Sequence, residues 1–311
     1  MRILVVGAGA VGGYFGARLA EAGRDVTFLV RQKHVERMKQ AGIRIVSPHG
    51  DLTVHPNVVT SDQINEHYDV VLLAVKCYAL TEAMDDFSDA IGPDTMIFPA
   101  LNGMRHIDVL VSRFGKPAVI GGVCKVATEL YNESRIRQLA GFQSLAFGEL
   151  DGERTPRIER LDDALSGADF DTVISDHIVS DMWQKWVQLS SLGAVTCLLR
   201  GNVGEIVAVE GGADLAGALL KECSDVASAC GYPPSEEFLA KHHADLTAPG
   251  SSMTSSMYRD LIKGGSVEVD TILGDLLRRA RDFGIQTPLL QSAFVNLSIY
   301  QRRLERGHEQ V

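Results

Sequence analysis

Cysteine is scarce in this sequence, and its five cysteines form no CxxC pair. They lie at widely spaced positions: Cys77, Cys124, Cys197, Cys223 and Cys230. Disulfide frameworks and structural zinc sites use cysteines in even numbers or at short, regular spacings, so this pattern predicts neither. We therefore expect a protein of the reducing cytoplasm.

Long apolar runs and an excess of basic residues are also missing. No segment reaches the ~18 uncharged apolar residues of a membrane span, and the chain enters a strand directly, without an export signal. The 30 Lys and Arg residues face 40 Asp and Glu residues, a net charge of -10, whereas general nucleic-acid binding relies on a basic surface. We expect neither a membrane nor a nucleic-acid partner, but a local basic pocket for one small anion stays compatible with this charge.

Strand-like and helix-like patterns alternate through the first half of the 311 residues. The segments are "RILVV" (2–6), a helical stretch at 11–23, "DVTFLV" (25–30), "DVVLLAV" (69–75) and "TMIFPA" (95–100). Such alternation is typical of a parallel sheet covered by helices. From 118 to 148, "AVIGGVCKVATELY", "SRIRQLA" and "SLAFGEL" predict consecutive strands in hairpins that close the sheet at one edge.

The second half carries a helical pattern only. Residues 176–199, 209–231 and 266–284 have apolar residues at intervals of three and four, as in helices with one buried face. The sequence therefore predicts two domains, an α/β domain over 1–175 and an all-helical domain over 176–311.

A GxGxxG motif links the first strand to the first helix. Its residues are Gly7, Ala8, Gly9, Ala10, Val11 and Gly12. In a βαβ unit these glycines permit a tight turn, close approach of a pyrophosphate, and helix–strand packing, while the helix N-terminus favours the phosphates. The alternative is a glycine-rich turn without a ligand. The setting favours a Rossmann-type dinucleotide-binding domain.

Arg31 stands at the end of the second strand, where a chain that binds NAD usually has an acidic residue. An acid there accepts hydrogen bonds from the ribose 2′-hydroxyl, whereas arginine pairs with the 2′-phosphate of NADP. Arg31 therefore predicts NADPH as the cofactor. The alternative is an ordinary surface arginine at a strand end.

Lys76 and Asn102 follow two later strands, at the sheet edge where α/β domains bind ligands. Lys76 suits a phosphate or carboxylate, and Asn102 suits a ribose or a substrate oxygen, but either could merely tie down a loop. In the helical half, Lys185 could be a solvated surface lysine paired with Asp181. The adjacent histidines His242 and His243 point in different directions on a helix, so we expect no metal site.

The order of these motifs resembles the ketopantoate reductase family (2-dehydropantoate 2-reductases). The motifs are GxGxxG, the strand-end arginine, VK at 75–76, NGM at 102–104, W-x-K at 183–185, SSM at 255–257 and an acid at 268. The resemblance implies an NADPH-dependent reductase of a 2-oxo acid, acting in pantothenate biosynthesis. It also implies roles for individual residues, as follows. The pyrophosphate is held by Gly7, Gly9, Ala10 and Gly12, and the 2′-phosphate by Arg31. The cofactor is also lined by Lys76, Asn102, Glu268 and the backbone near Ala127. The proton donor is Lys185, with Glu268 as the second catalytic residue, and the substrate is bound by Asn102 and Ser256.

Three positions depart from the family pattern. Leu189 and Gly193, one and two turns after Lys185, and Met253, before the SSM motif, stand where the family commonly has asparagine. A site that leaves a buried polar group unpaired discriminates against it, so the substrate could be less polar than 2-dehydropantoate. The rival to the enzyme is an NADPH-binding sensor or interaction protein that kept the fold. The helical domain could supply a homodimer surface.

Overall fold

The computed structural model of the protein describes residues 1–132 and 135–308. Within it the chain folds into two units. The first unit comprises Met1–Leu101 and His106–Val179, and the second comprises Asn102–Arg105 and the chain from Ser180 onward. The assignment of NADP binding to residues 1–175 and of substrate binding and catalysis to 176–311 stays a prediction.

The strands all lie before residue 175 within the part of the chain described. They are β1 (Arg2–Val6), β2 (Asp25–Leu29), β3 (Ile43–Val46), β4 (Leu52–Val54), β5 (Asn57–Val59), β6 (Val70–Leu73), β7 (Met96–Pro99), β8 (Ile120–Asn132), β9 (Arg135–Glu149) and β10 (Asp171–Ile174). The helices are α1 (Ala10–Glu21), α2 (Gln32–Ala41), α3 (Leu80–Asp86), α4 (Arg105–Phe114), α5 (Pro156–Leu165), α6 (Ile178–Leu199), α7 (Val203–Val207), α8 (Gly212–Ala229), α9 (Glu236–Leu246), α10 (Ser256–Ile262), α11 (Asp275–Asp282) and α12 (Pro288–His308).

The first unit is built on a parallel sheet in the order β5-β2-β1-β6-β7. Val5 of β1 pairs in register with Phe28 of β2 and with Leu72 of β6, and all three side chains are buried. Because both faces of these strands are covered, their sequences are continuous apolar runs rather than alternating ones. The predicted Rossmann-type α/β fold is confirmed, as is the helical character of the second half.

The strands after residue 118 differ from the prediction. The segments "SRIRQLA" and "SLAFGEL" form one strand, β9, which pairs antiparallel with β8. This hairpin does not close the parallel sheet; it belongs to a second sheet in the order β10-β9-β3-β4. The strand is long because β9 serves two parallel partners, β3 near its start and β10 near its end.

The second unit is helical throughout its described residues. α6, α8 and α11 match the three predicted segments. No bounds were predicted for α7, α9, α10 and α12, although His242 and His243 of α9 were expected on a helix. The centre of α6 is fully buried: Ser191 and Thr196 turn their hydroxyls back onto the carbonyls of Val187 and Leu192. Those bonds satisfy polar groups inside an apolar core. Within the described chain, no helix is both long and apolar enough to cross a membrane.

Candidate active site

Each glycine of the GxGxxG loop has its own steric reason. Gly7 has a φ of 99°, and a Cβ there would lie 2.8 Å from the carbonyl oxygen of Ala74. A Cβ on Gly12 would lie 2.2 Å from the carbonyl oxygen of Gly7, so α1 could not pack so closely against the strand. Gly9, the N-cap of α1, has open space where a Cβ would be. The first N–H groups of the helix face that space without intrahelical acceptors, which fits a pyrophosphate.

A cavity of about 410 Å³ adjoins this loop in the first unit. Its lining combines the glycine loop, the end of β2 and residues of α2 and α3. Backbone and charged groups come from Gly7, Gly9, Arg31, His34, Arg37, Glu82 and Asp86. Val30, Val75 and Ala79 supply apolar walls. The cavity thus offers an apolar slot beside charged groups, the combination that an adenosine moiety requires.

Arg31 lines this cavity, and its guanidinium already has a partner. Its Nη2 atom lies 2.5 Å from Oε2 of Glu82 on α3, and both side chains are more than half exposed. Burial and the cations Arg37, Lys33 and Arg31 lower the pKa of His34. Burial and the neighbouring Glu82 raise the pKa of Asp86. The cavity lining therefore combines basic residues from the end of β2 and from α2 with carboxylates from α3.

Lys76 and Ala127 lie outside this cavity lining. Lys76 is exposed and caps a 3-10 turn at Cys77–Ala79, just beyond β6. Ala127 is half-buried in β8, where the register with β9 shifts between Val126 and Thr128. Such a bulge leaves a residue out of the strand ladder, so it is the backbone at Ala127 that could meet a ligand.

Lys185 lies in the first half of α6, flanked by two buried tryptophans. The rings of Trp183 and Trp186 are 4.9 Å apart and at most 2% exposed, while Lys185 is half-buried. The guanidinium of Arg279 on α11 lies over both rings, at 5.5 and 5.6 Å from their centres. The packed tryptophans hold this part of α6 rigidly in place.

Glu268 lies two residues before a π-helical turn, Asp270–Gly274, that contacts α6. The indole N–H of Trp186 donates to the carbonyl oxygen of Ile272 at 2.9 Å, and the hydroxyl of Ser190 donates to the same oxygen at 3.1 Å. The N–H of Ile272 in turn donates to the carbonyl oxygen of Glu268. These bonds tie the backbone of Glu268 to the helix that carries Lys185. π turns of this kind occur often at functional sites.

The segment that carries Asn102 packs on the same turn. A Cβ on Gly103, whose φ is 79°, would lie 3.2 Å from the carbonyl oxygen of Thr271 and 3.7 Å from Nε1 of Trp186. Arg105 forms an ion pair with Asp270 at 3.3 Å. Asn102, Lys185 and Glu268 are distant in sequence, yet their backbone segments meet within the second unit.

Gly193 lies further along α6, and Ser256 lies in α10, which packs against α6. Ser255 is the N-cap of α10, and its hydroxyl lies 2.9 Å from that of Thr196. Ser256 is the first residue of α10 and is half-buried. Next to it in sequence, Met257 is buried, and its Cε atom would be 2.8 Å from a Cβ at Gly193. Met257 therefore fills the space that a side chain at position 193 would need.

His242 is buried beside α6 rather than exposed as a metal ligand. Its Nε2 atom lies 3.0 Å from the hydroxyl of Ser191. Burial lowers its pKa to about 4. A neutral imidazole in a packed core accounts for this histidine.

Comparison with known sequences follows the same division of the chain. The profile described as "Ketopantoate reductase PanE/ApbA" matches residues 3–152, and that described as "Ketopantoate reductase PanE/ApbA C terminal" matches residues 177–301. The chain belongs to the ketopantoate reductase family. It is therefore an oxidoreductase of that family, and the resemblance inferred from the motifs is confirmed.

Individual relatives extend over nearly the whole chain. An uncharacterized oxidoreductase, YkpB, from Bacillus subtilis is 36% identical over 97% of this chain and 99% of its own. A 2-dehydropantoate 2-reductase from Mesorhizobium japonicum is 28% identical over 99% of both chains. The crystal structure of 2-dehydropantoate 2-reductase from Methylococcus capsulatus has a TM-score of 0.86 at 28% identity, covering 98% of each chain. D-mandelate dehydrogenase with NADH and anilino(oxo)acetate has a TM-score of 0.88 at 22% identity, covering 98% of this chain and 100% of its own, and so shares the fold.

Sequence reasoning missed the acidic residues of the cavity beside the glycine loop. Glu82 and Asp86 lie in a short helix 51 and 55 positions after Arg31, and nothing local marks them as its neighbours. His34 and Arg37 could have been found, because they lie three and six positions after Arg31 and so on one face of α2.

Proposed function

We propose that this member of the ketopantoate reductase family catalyses the NADPH-dependent reduction of a 2-oxo acid to a 2-hydroxy acid. The observation that carries the proposal is the meeting of the segments of Asn102, Lys185 and Glu268 around the π turn. These contacts hold close together the backbone segments that carry an amide, an ammonium and a carboxylate, groups suited to a carbonyl reduction. The substrate that we propose is 2-dehydropantoate or a related, less polar 2-oxo acid.

The chain supplies the proton and the charge stabilisation of this reaction. When bound, NADPH provides a hydride to the carbonyl carbon, and the carbonyl π electrons move onto the oxygen. The ammonium of Lys185 stabilises that developing negative charge and transfers a proton to it, which completes the hydroxyl and leaves a neutral amine. Solvent then reprotonates Lys185. Asn102 and Ser256 are proposed to orient the substrate, and Glu268 to hold the lysine and ligand in place.

The glycine loop and Arg31 are proposed to hold the cofactor. The family and the open N-terminus of α1 support a nicotinamide dinucleotide, and Arg31 supports NADPH over NADH. Lys76 and the backbone at Ala127 are proposed to complete the site. A cytoplasmic location, a role in pantothenate biosynthesis and a homodimer remain predictions.

Gly9→Ala should weaken NADPH and NADH alike, by roughly 10-fold or more, because both share the pyrophosphate that must approach this backbone. The fold should tolerate the change, since Gly9 has a φ of -81° and no atom within 4 Å of the added Cβ. Cofactor titration and thermal unfolding measure the two effects. Gly12→Ala is the contrasting variant, because its Cβ collides with the Gly7 carbonyl and should lower the Tm. Unchanged cofactor affinity in Gly9→Ala would remove the pyrophosphate from this loop.

The proposed function itself is tested by NADPH oxidation with a panel of 2-oxo acids. The decisive pair is 2-dehydropantoate and 3,3-dimethyl-2-oxobutanoate, which differ only in the terminal hydroxyl. We expect the hydroxyl to bring no advantage, because Leu189, Gly193 and Met253 stand where the family commonly has asparagine and have no polar side chain. Leu189→Asn should then raise kcat/KM for 2-dehydropantoate relative to its deoxy analogue by roughly 2- to 10-fold, the worth of one neutral hydrogen bond.

Leu189→Ala is the control for this series, since it frees the same space without adding a polar group. Strong activity on 2-dehydropantoate in the unmodified protein, with no gain from Leu189→Asn, would show that the apolar pocket is only another way to build the same enzyme. Tight NADPH binding without turnover of any 2-oxo acid would favour the sensor.

A further inference from the structure

The wall opposite Arg31 in the cofactor cavity is acidic. Glu82 lies in the first turn of α3 and Asp86 one turn later, so both carboxylates face the same side of the helix. Arg31, His34 and Arg37 line the other side of the cavity. An acid beside the 2′-position is a feature of sites that bind NAD, where it accepts the ribose hydroxyl. In this chain the residue at the end of β2 is Arg31, but an acidic residue, Glu82 of α3, contacts it.

The geometry points to Glu82 as a cofactor-specificity residue that opposes Arg31: it disfavours the 2′-phosphate of NADPH and accepts the 2′-hydroxyl of NADH. The inference rests on the proposed function, because it assumes that the cavity holds the adenosine half of a nicotinamide dinucleotide.

Glu82 first competes with the phosphate for Arg31. The Glu82 carboxylate lies 2.5 Å from the guanidinium, so it already engages the group that the phosphate would need. Both side chains are more than half exposed, and exposed ion pairs are weak, so a 2′-phosphate can displace the carboxylate at small cost. Glu82 therefore lowers the affinity for NADPH without preventing binding.

Once displaced, Glu82 repels the phosphate. Its backbone is fixed in α3 beside the cavity, so its carboxylate remains near the phosphate as a like charge. With NADH no phosphate competes, and the carboxylate is already placed to accept a hydroxyl hydrogen bond while keeping its arginine. The same residue thus acts with opposite sign on the two cofactors.

Glu82→Gln tests this inference by titration of the intact protein with NADPH and with NADH at one fixed ionic strength. We expect the Kd for NADPH to fall by about 3- to 10-fold, because the substitution removes a partly exposed negative charge near the 2′-phosphate. The Kd for NADH should stay constant or rise. Asp85→Asn is the matched control: Asp85 lies on the same helix, outside the cavity lining, and pairs with Arg113. It removes the same charge and should move neither Kd.

The Arg31→Ala variant separates repulsion between Glu82 and the phosphate from an effect of Glu82 on the side-chain conformation of Arg31. In Arg31→Ala, Glu82→Gln should still tighten NADPH, because the repulsion does not need the arginine. Four results would each overturn the inference and leave the reductase proposal intact. They are weaker NADPH binding in Glu82→Gln, an equal change in Kd for both cofactors, the same change in Asp85→Asn, and loss of the effect of Glu82→Gln in the Arg31→Ala background. Failure of the unmodified protein to bind either cofactor would instead overturn the proposed function.

Discussion

Replacing Lys185 by alanine is expected to lower kcat by roughly 10²–10⁴-fold, the usual contribution of a positioned general acid. The ammonium acts only when negative charge develops on the substrate oxygen, so the loss should fall on kcat and on kcat/KM together rather than on KM. The Kd for NADPH should stay near its original value, since the cavity beside the glycine loop is lined by residues of the other unit. Single-turnover NADPH oxidation at saturating substrate measures the chemical step directly.

Gln184→Ala is the control for Lys185→Ala. Gln184 precedes the lysine on α6 and is likewise half-buried, so it reports any general cost of truncating this part of the helix. Added primary alkylamines should restore part of the rate to Lys185→Ala but not change Gln184→Ala. If Lys185→Ala keeps kcat within about 3-fold of the unmodified protein, the lysine is not the proton donor.

The parallel sheet was predictable because its signals are local. Each of its central strands is an apolar run, and the first is followed at once by the glycine loop and a helix. β9 was divided into two strands because Gly141 looks like a break in the sequence, whereas the structure has one strand. The partners of its two ends are distant in sequence, since β3 pairs with residues 135–137 and β10 with residues 144–147, and no local pattern encodes them.

The candidate site also combines features that the local sequence encodes with features that depend on contacts between distant residues. The glycine pattern can be recognised from six residues, although the carbonyl that Gly7 approaches belongs to Ala74, just after β6. The Asn102 segment, by contrast, is held by Arg105 on Asp270 and by Gly103 on Thr271, contacts that span well over a hundred positions. Family resemblance could name Asn102 as a site residue, but only the fold shows how its segment is held on the π turn.

The cavity beside the glycine loop shows what a rule based on the residue at the end of β2 omits. The rule considers one position, Arg31, and predicts NADPH. In the fold, Glu82 and Asp86 lie close to that position. The expected preference between NADPH and NADH therefore depends on the balance between the arginine and these carboxylates. A rule based on sequence position can name the arginine but cannot weigh it against a carboxylate that arrives from another helix.

Arg31→Ala is therefore expected to weaken NADPH binding by more than the loss of one contact would. The Kd for NADPH should rise by roughly 10- to 100-fold, because a charge-assisted hydrogen bond disappears and the Glu82 carboxylate is left unneutralised near the phosphate. The Kd for NADH should stay within about 3-fold, since the ribose hydroxyl keeps Glu82 as its acceptor. Lys33→Ala is the control, because Lys33 is an exposed cation of α2 outside the cavity lining. Equal weakening of both cofactors in Arg31→Ala would mean that the arginine shapes the cavity rather than meeting a phosphate, and the assignment of NADPH would then fail.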